Sequence, residues 1–191
     1  GTYHAVCEIC KQNGLEKILQ KHFPESWTYL LTIAHYMMCE GNVMYYLPDF
    51  QETRKSFCRE EIDSEESSRI FASVDREAVQ SFFRDWIRHR KNKEYIAYDV
   101  TSFSSYSKGM NNLEWGYNRD REKLPQINLA MYYGEESQLP LYYRVYPGSI
   151  TDKTHLSYMV QDNEMLHCDT MRYVMDRGFY SENNLRTLTE K

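Results

Sequence analysis

Residues 95–101 read Tyr-Ile-Ala-Tyr-Asp-Val-Thr, and residues 171–176 read Met-Arg-Tyr-Val-Met-Asp. Both are short, mainly apolar runs, and such runs are typical of strands buried in the interior of a sheet. Each run carries one aspartate, Asp99 within the first and Asp176 at the end of the second. A carboxylate in an apolar strand is costly to bury unless a cation or hydrogen bonds compensate for its charge. These two aspartates are therefore the first candidates for a functional site.

The segment between the two runs predicts a hairpin followed by a helix. Apolar residues alternate over 127–133 and again over 141–145, as in strands, and a five-residue turn at 134–138 joins them. Thr151 or Asp152 is suited to cap the helix that follows. The predicted order is strand, hairpin, helix, strand and helix, which favours a mixed sheet with helices packed against it.

Residues 1–93 follow a different pattern and predict a mainly helical region ahead of the sheet, which occupies residues 94–191. Ser64 is suited to cap one helix of this region, and Ser73 or Asp75 the next. The strongest helical periodicity lies in an apolar stripe formed by Trp27, Leu30, Leu31, Ala34, Met37 and Met38.

Charge and cysteine content exclude several classes of protein. Lys and Arg number 23 and Asp and Glu number 28, so the net charge of −5 counts against an intact, basic DNA-binding module. Five irregularly spaced cysteines do not form a disulfide framework and favour a reducing compartment. Cys7 and Cys10 lack a second pair at comparable spacing, so an incidental pair is favoured over a zinc site. No apolar run is long enough to predict a membrane span.

Two interpretations of the aspartates follow from the residues alone. If the two strands are neighbours, Asp99 and Asp176 lie close together, and like charges that close are unstable without a cation. Carboxylate oxygens suit Mg²⁺ or Mn²⁺, and pairs of such ions serve phosphoryl transfer. In the other interpretation, each aspartate only forms the turn that follows it, ahead of Thr101 in one case and of Arg177 in the other.

Three motifs carry a resemblance to a known family. They are Tyr-Asp-Val-Thr-Ser at 98–102, Leu-Tyr-Tyr-Arg-Val-Tyr-Pro-Gly-Ser-Ile-Thr-Asp at 141–152 and Met-Asp-Arg-Gly-Phe-Tyr-Ser at 175–181. In this order they are similar to the first-aspartate strand, the G-N-x-x-D passage and the D-R-G-[FY] motif of DDE-type insertion-sequence transposases. The resemblance covers residues 95–190.

The resemblance implies an RNase H-like α+β fold, with a mixed sheet and flanking helices. It implies that Asp99 and Asp176 are catalytic and bind Mg²⁺ or Mn²⁺ in a two-metal site. The implied reaction is DNA strand cleavage at the element ends and strand transfer into target DNA, in the cytoplasm of a bacterium or archaeon and in association with the nucleoid. The basic residues that we expect to contact DNA, as opposed to forming a solvated surface, are Arg119, Arg121, Lys123 and Arg177.

The family also requires a third acid, usually a glutamate on a helix well beyond the second aspartate. Glu182 and Glu190 are the only acids after Asp176, and both come too early. We therefore expect the third acid beyond Lys191, an incomplete core in this fragment, and little activity from it alone. The alternatives are a nuclease of the same fold without strand transfer, and a degenerate core that serves DNA binding or oligomerisation. A homo-oligomer is left open.

Overall fold

The computed structural model describes residues 1–89, 94–110, 112–116, 123–166, 172–180 and 186. The chain divides into two units, Gly1–His89 and Arg90–Lys191. The first contains six α-helices in its described residues: α1 Thr2–Gln12, α2 Leu15–His22, α3 Trp27–Cys39, α4 Leu47–Thr53, α5 Ser64–Ser73 and α6 Arg76–His89. The second contains β1 Tyr95–Ser104, β2 Gln126–Gly134, β3 Pro140–Pro147, α7 Asp152–Leu166 and β4 Arg172–Met175. The division into domains at 1–93 and 94–191 stays a prediction.

Aspartates cap the two last helices of the first unit. Asp63 precedes α5, and its carboxylate accepts a hydrogen bond from the backbone N–H of Glu66 at 2.7 Å. Asp75 precedes α6 and accepts from the N–H of Ala78 at 3.0 Å, which confirms it as a cap. The prediction of a Ser64 cap was wrong by one residue, because the preceding carboxylate satisfies the free N–H and Ser64 becomes the first helical residue.

Helix α3 buries a different face from the one that its apolar stripe predicts. Met37 and Met38 are exposed, whereas Thr32 is completely buried. The Thr32 hydroxyl accepts hydrogen bonds from the backbone N–H groups of Phe57 and Cys58, both at 3.2 Å. A buried hydroxyl with such partners carries little penalty, so a polar residue can occupy the interior in place of a methionine.

The four strands of the second unit form one mixed sheet in the order β3-β2-β1-β4. Strands β1, β2 and β3 pair antiparallel as a meander, and β4 pairs parallel to β1. A parallel neighbour requires a crossover, and α7 lies in the connection between β3 and β4. This topology confirms the RNase H-like α+β fold, in which a mixed sheet is flanked by helices.

Only one face of this sheet is buried in the described part of the chain. On β1 the buried side chains are Ile96, Tyr98 and Val100, which alternate with exposed ones. Helix α7 contributes the fully buried Met159 to the same core. The first apolar run is thus a strand, as predicted, but it is buried on one side instead of both, and Asp99 lies on the exposed side. Within the described ranges no helix is long and apolar enough to cross a membrane.

Candidate functional site

Asp99 lies in the middle of β1, on the exposed face of the sheet. Its neighbours Tyr98 and Val100 are buried on the opposite face, because successive side chains of a strand point to opposite sides. The Asp99 carboxylate accepts a hydrogen bond from the backbone N–H of Val100 at 2.8 Å. The sheet therefore presents this carboxylate to solvent, on the side that α7 does not cover.

Asp176 follows the last residue of β4 and is also exposed. The parallel ladder pairs Ala97 with Val174 and Tyr98 with Met175. The next residues along the two chains are Asp99 and Asp176, and the backbone of Asp176 is still extended, with φ −65° and ψ 154°. Neighbouring strands lie about 4.8 Å apart, so the register brings the two aspartates side by side on one face.

Neither carboxylate is neutralised by a basic side chain among the described residues. The ion pairs in that part of the chain join other groups, and Asp99 has only its bond to the N–H of Val100. Two adjacent anions without a counter-charge repel each other, and this repulsion favours the uptake of a cation. Their hard oxygen donors suit a divalent ion such as Mg²⁺ or Mn²⁺, whose remaining ligands are often water or substrate oxygens.

The two aspartates form an incomplete ligand set by themselves. Among the residues that the structure describes, no cluster of three or more His, Cys, Asp or Glu side chains is suited to hold a metal. Glu182 and Glu190 lie outside the described residues. The chemistry of the donor set fits a divalent ion, but no third His, Cys, Asp or Glu joins the two aspartates within the described ranges.

A single 3₁₀ turn, Arg177–Phe179, follows Asp176. Phe179 is buried, with 6% of its surface exposed. Tyr180, in contrast, is 65% exposed. The turn directs one of two consecutive aromatic rings into the core and leaves the other in solvent. Arg177 is exposed and makes no ion pair with Asp176 in the described structure, so its predicted contact with a DNA phosphate stays a prediction.

Of the other predicted DNA contacts, Lys123 lies among the described residues, and it is not brought to the aspartates. Arg119 and Arg121 lie outside the described residues. Lys123 is exposed and precedes β2, whose first residue, Gln126, pairs with Ser104. Ser104 is five residues from Asp99 along β1, a distance of about 17 Å at 3.4 Å per residue. Lys123 therefore belongs to the end of the sheet remote from the acid pair.

The passage from β3 to α7 is tied to the centre of the sheet. Asn128 of β2 donates to the carbonyl of Ile150 at 3.1 Å and accepts from the hydroxyl of Ser102 at 2.9 Å. Thr151 then caps α7, since its hydroxyl accepts from the N–H of Thr154 at 3.4 Å. Asp152 is the first residue of the helix, so Thr151 is the cap of the two residues that the sequence offered.

Asp162 of α7 is a buried acid that the sequence analysis did not single out. It is fully buried and accepts a hydrogen bond from the hydroxyl of Tyr132 at 2.8 Å. Arg144 Nη1 lies 3.1 Å from its other oxygen, as an ion pair without hydrogen-bond geometry. Burial raises the pKa of this carboxyl, although Tyr132 and Arg144 both act in the opposite direction. The available signal was its spacing, since Asp162 falls three residues after Met159 on the buried face.

Comparisons with known proteins give one result. Residues 90–191, just over half of the chain, match the family described as Transposase DDE domain. No curated protein and no solved structure matches the chain. Members of the matched family generally use divalent metal ions, and the domain implies DNA as a partner. Because the matched segment includes every strand of the sheet and both aspartates, the chain belongs to the DDE transposase family.

Proposed function

We propose that this chain takes part in metal-dependent DNA strand cleavage and strand transfer during transposition of an insertion sequence, with Asp99 and Asp176 as its catalytic, metal-binding acids. The observation that supports this proposal best is the parallel register of β1 and β4, in which the two aspartates follow a shared ladder. Turn-forming aspartates alone would not need to share one sheet face at neighbouring positions. We also propose that residues 1–93 and 94–191 act as separate domains.

The two carboxylates would hold the divalent ions, Mg²⁺ or Mn²⁺, on the exposed face of the sheet. Bound ions of this kind supply Lewis acidity, which activates an attacking oxygen and stabilises a leaving one in a two-metal arrangement. Asp99 and Asp176 would bind the ions and fix their positions on the sheet. Both side chains are exposed, which leaves room for a phosphodiester to approach. The third acid expected from the family stays a prediction.

Titration of the chain with Mn²⁺ tests the assignment of the acids. Electron paramagnetic resonance counts free Mn²⁺, so it measures affinity without requiring activity. We expect Asp99→Asn and Asp176→Asn each to weaken binding about tenfold or more, because a neutral amide replaces one of two charged ligands. Glu136→Gln is the matched control, as it removes an exposed acid from a turn of the same unit. Equal binding by all four proteins would remove the metal site from this chain.

A second experiment concerns DNA. Arg177 is exposed and adjacent to Asp176, which supports a contact with a phosphate near the acid pair. Arg177→Ala should weaken binding of a duplex oligonucleotide and lower the slope of log affinity against log salt by about one. Lys123→Ala tests the remote end of the sheet in the same assay. An unchanged salt slope for Arg177→Ala would contradict the proposed phosphate contact.

A further inference from the structure

Two buried aromatic rings join the segments that carry the aspartates. Tyr98 directly precedes Asp99, and Phe179 follows Asp176 by three residues. Their ring centroids lie 5.3 Å apart at an interplanar angle of 71°, an edge-to-face contact. Tyr98 is 2% exposed and Phe179 is 6% exposed. This pair, which we call the aromatic clamp, lies in the core on the face of β1 opposite to Asp99.

The clamp acts where the strand pairing has ended. The last paired residues of β1 and β4 are Tyr98 and Met175, so Asp99 and Asp176 each lie one residue beyond the end of the paired register. The carbonyl of Asp176 accepts from the N–H of Phe179 at 3.1 Å, which makes Asp176 part of the same turn as the ring. Whatever holds the Phe179 ring in place therefore also holds the backbone of Asp176.

Tyr98, the other ring of the clamp, packs against a residue that is itself held in place. Tyr98 packs edge-to-face on Tyr132 of β2, with centroids 5.1 Å apart. Tyr132 is 1% exposed, and its hydroxyl is bound to the buried Asp162. A side chain whose neighbours are locked by packing and hydrogen bonds can position a functional group with little freedom.

We propose that Tyr98 and Phe179 are positioning residues that hold Asp176 at a fixed distance from Asp99. The proposal rests on the proposed function for its consequence, which is metal binding, but the positioning itself does not require a metal. Neither ring reaches the exposed face, so the clamp acts through the backbone and touches no ligand. Its loss should disturb the acid pair more than the fold as a whole.

Disulfide formation between the two acid positions measures this positioning without a metal. In the double variant Asp99→Cys/Asp176→Cys, neighbouring strand positions satisfy the Cα separation that a disulfide needs, about 4.4–6.8 Å. The linked tryptic peptides are quantified by mass spectrometry in a glutathione buffer, which separates this link from those of the five native cysteines. We expect Phe179→Ala to slow formation of the link about tenfold, because the turn is released. Tyr98→Phe keeps the ring contacts with Tyr132 and Phe179, so it should slow the link much less than Phe179→Ala does.

The control is Leu141→Ala, which truncates a buried residue of β3. Strands β2 and β1 separate Leu141 from β4, so this variant should lower stability without touching the turn, and the link should form within about twofold of the parent rate. If Phe179→Ala does not fold, Phe179→Leu takes its place. We then expect slower formation of the link than in the parent, by less than tenfold. The proposal is overturned if Leu141→Ala and Phe179→Ala slow the link alike, if neither does, or if no link forms with Phe179 present.

Mn²⁺ affinity, measured on the chain with both aspartates intact, separates the two proposals. Phe179→Ala should weaken Mn²⁺ binding while Leu141→Ala leaves it unchanged. If the chain binds no Mn²⁺ but the link responds to Phe179 as expected, the metal-binding function fails and the positioning stands. If Mn²⁺ binding depends on Asp99 and Asp176 but Phe179→Ala does not change the rate of disulfide formation, the proposed function is supported and the positioning role of the clamp is refuted.

Discussion

Asp99 and Asp176 each follow the last pair of the parallel ladder between β1 and β4, Tyr98 and Met175, so the register gives them neighbouring positions on one face of the sheet. Both side chains are exposed, and no described ion pair neutralises either one. The protein therefore maintains two adjacent negative charges on an otherwise largely apolar sheet face, where Tyr95 and Val174 are also exposed. Such an arrangement costs stability in the absence of a cation.

This cost can be measured without metal. We expect Asp176→Asn to raise the free energy of unfolding by about 0.5–1 kcal/mol in the presence of a chelator, because the repulsion from Asp99 is removed and solvent screens much of it. Urea unfolding at low and high salt provides the check, since screening should shrink the gain at high salt. A loss of stability, or a gain that salt does not change, would mean that the two carboxylates do not repel each other.

The buried Asp162 should be essential to the core for a different reason. Asp162→Ala leaves the Tyr132 hydroxyl without its acceptor and Arg144 without its counter-charge, and we expect a loss of about 3 kcal/mol. Asp162→Asn keeps an acceptor for Tyr132 and should cost about 1 kcal/mol. Urea unfolding of the two variants at neutral pH checks this order. Equal stability of the two variants would contradict the role of the hydrogen bond.

The pKa of Asp162 adds a pH dependence to this comparison. Burial raises the pKa of this carboxyl in the folded state, so the folded protein holds the proton more tightly than the unfolded chain. The cost of the buried charge is therefore fully present above the folded pKa and declines as the pH falls through it. Relative to Asp162→Asn, the parent protein should gain stability as the pH is lowered from neutral. If the free energy of unfolding of the parent instead falls relative to that of Asp162→Asn over this range, the raised pKa is contradicted.

Local patterns in the sequence predict much of this fold. The two short apolar runs ending at Thr101 and Asp176 indicate strands, and the alternation in the hairpin is a signal of period two that burial on one face imposes directly. Family resemblance adds the strand order and hence the neighbouring aspartates. Neither source indicates that β1 is covered on one side only, because that depends on which other elements pack on the sheet.

Long-range contacts explain why the buried face of α3 was predicted wrongly. Thr32 is buried in α3 because N–H groups from residues 57 and 58 reach its hydroxyl, and a helical stripe contains no information about them. The same holds for Asp162, whose burial depends on Tyr132 and Arg144 in two strands. Polar residues in a core are stabilised by partners distant in sequence, so periodicity alone assigns them to the surface.

Gly148 offers a test of close backbone packing near the start of α7. A Cβ atom at this position would lie 2.3 Å from the carbonyl oxygen of Gln126 and 2.7 Å from that of Glu114. These two carbonyls belong to an isolated bridge in which Glu114 and Gln126 exchange backbone hydrogen bonds. Since neither backbone segment can shift without disturbing these hydrogen bonds, we expect Gly148→Ala to lower the free energy of unfolding by about 2–3 kcal/mol. Gly109→Ala is the control, as a Cβ there meets nothing within 4 Å. Similar melting temperatures for the two variants would show that the bridge can move aside.

Asp85 should make the helical unit sensitive to acid. Its carboxylate in α6 accepts a hydrogen bond from Lys21 at 2.5 Å and lies 2.8 Å from Nε2 of His22, so it joins α6 to the last turn of α2. The hydrogen bond from Lys21, followed by that from His22, lowers the pKa of Asp85 in the folded protein. A lowered folded pKa stabilises the protein fully above the unfolded value, near pH 3.9, and this contribution is lost as the pH falls through the folded pKa.

We therefore expect Asp85→Asn to cost about 1 kcal/mol at neutral pH, with a difference from the parent that disappears as the pH falls through the folded pKa of Asp85. Urea unfolding followed by far-ultraviolet circular dichroism measures it, since the helices dominate that signal. Glu8→Gln is the control, because its 3.8 Å pair with Lys11 lies within a single exposed helix face and joins no two elements. That variant should match the parent at every pH. If Asp85→Asn stays less stable than the parent by the same amount in acid, its effect is one of packing, and the charge of Asp85 does not link the two helices.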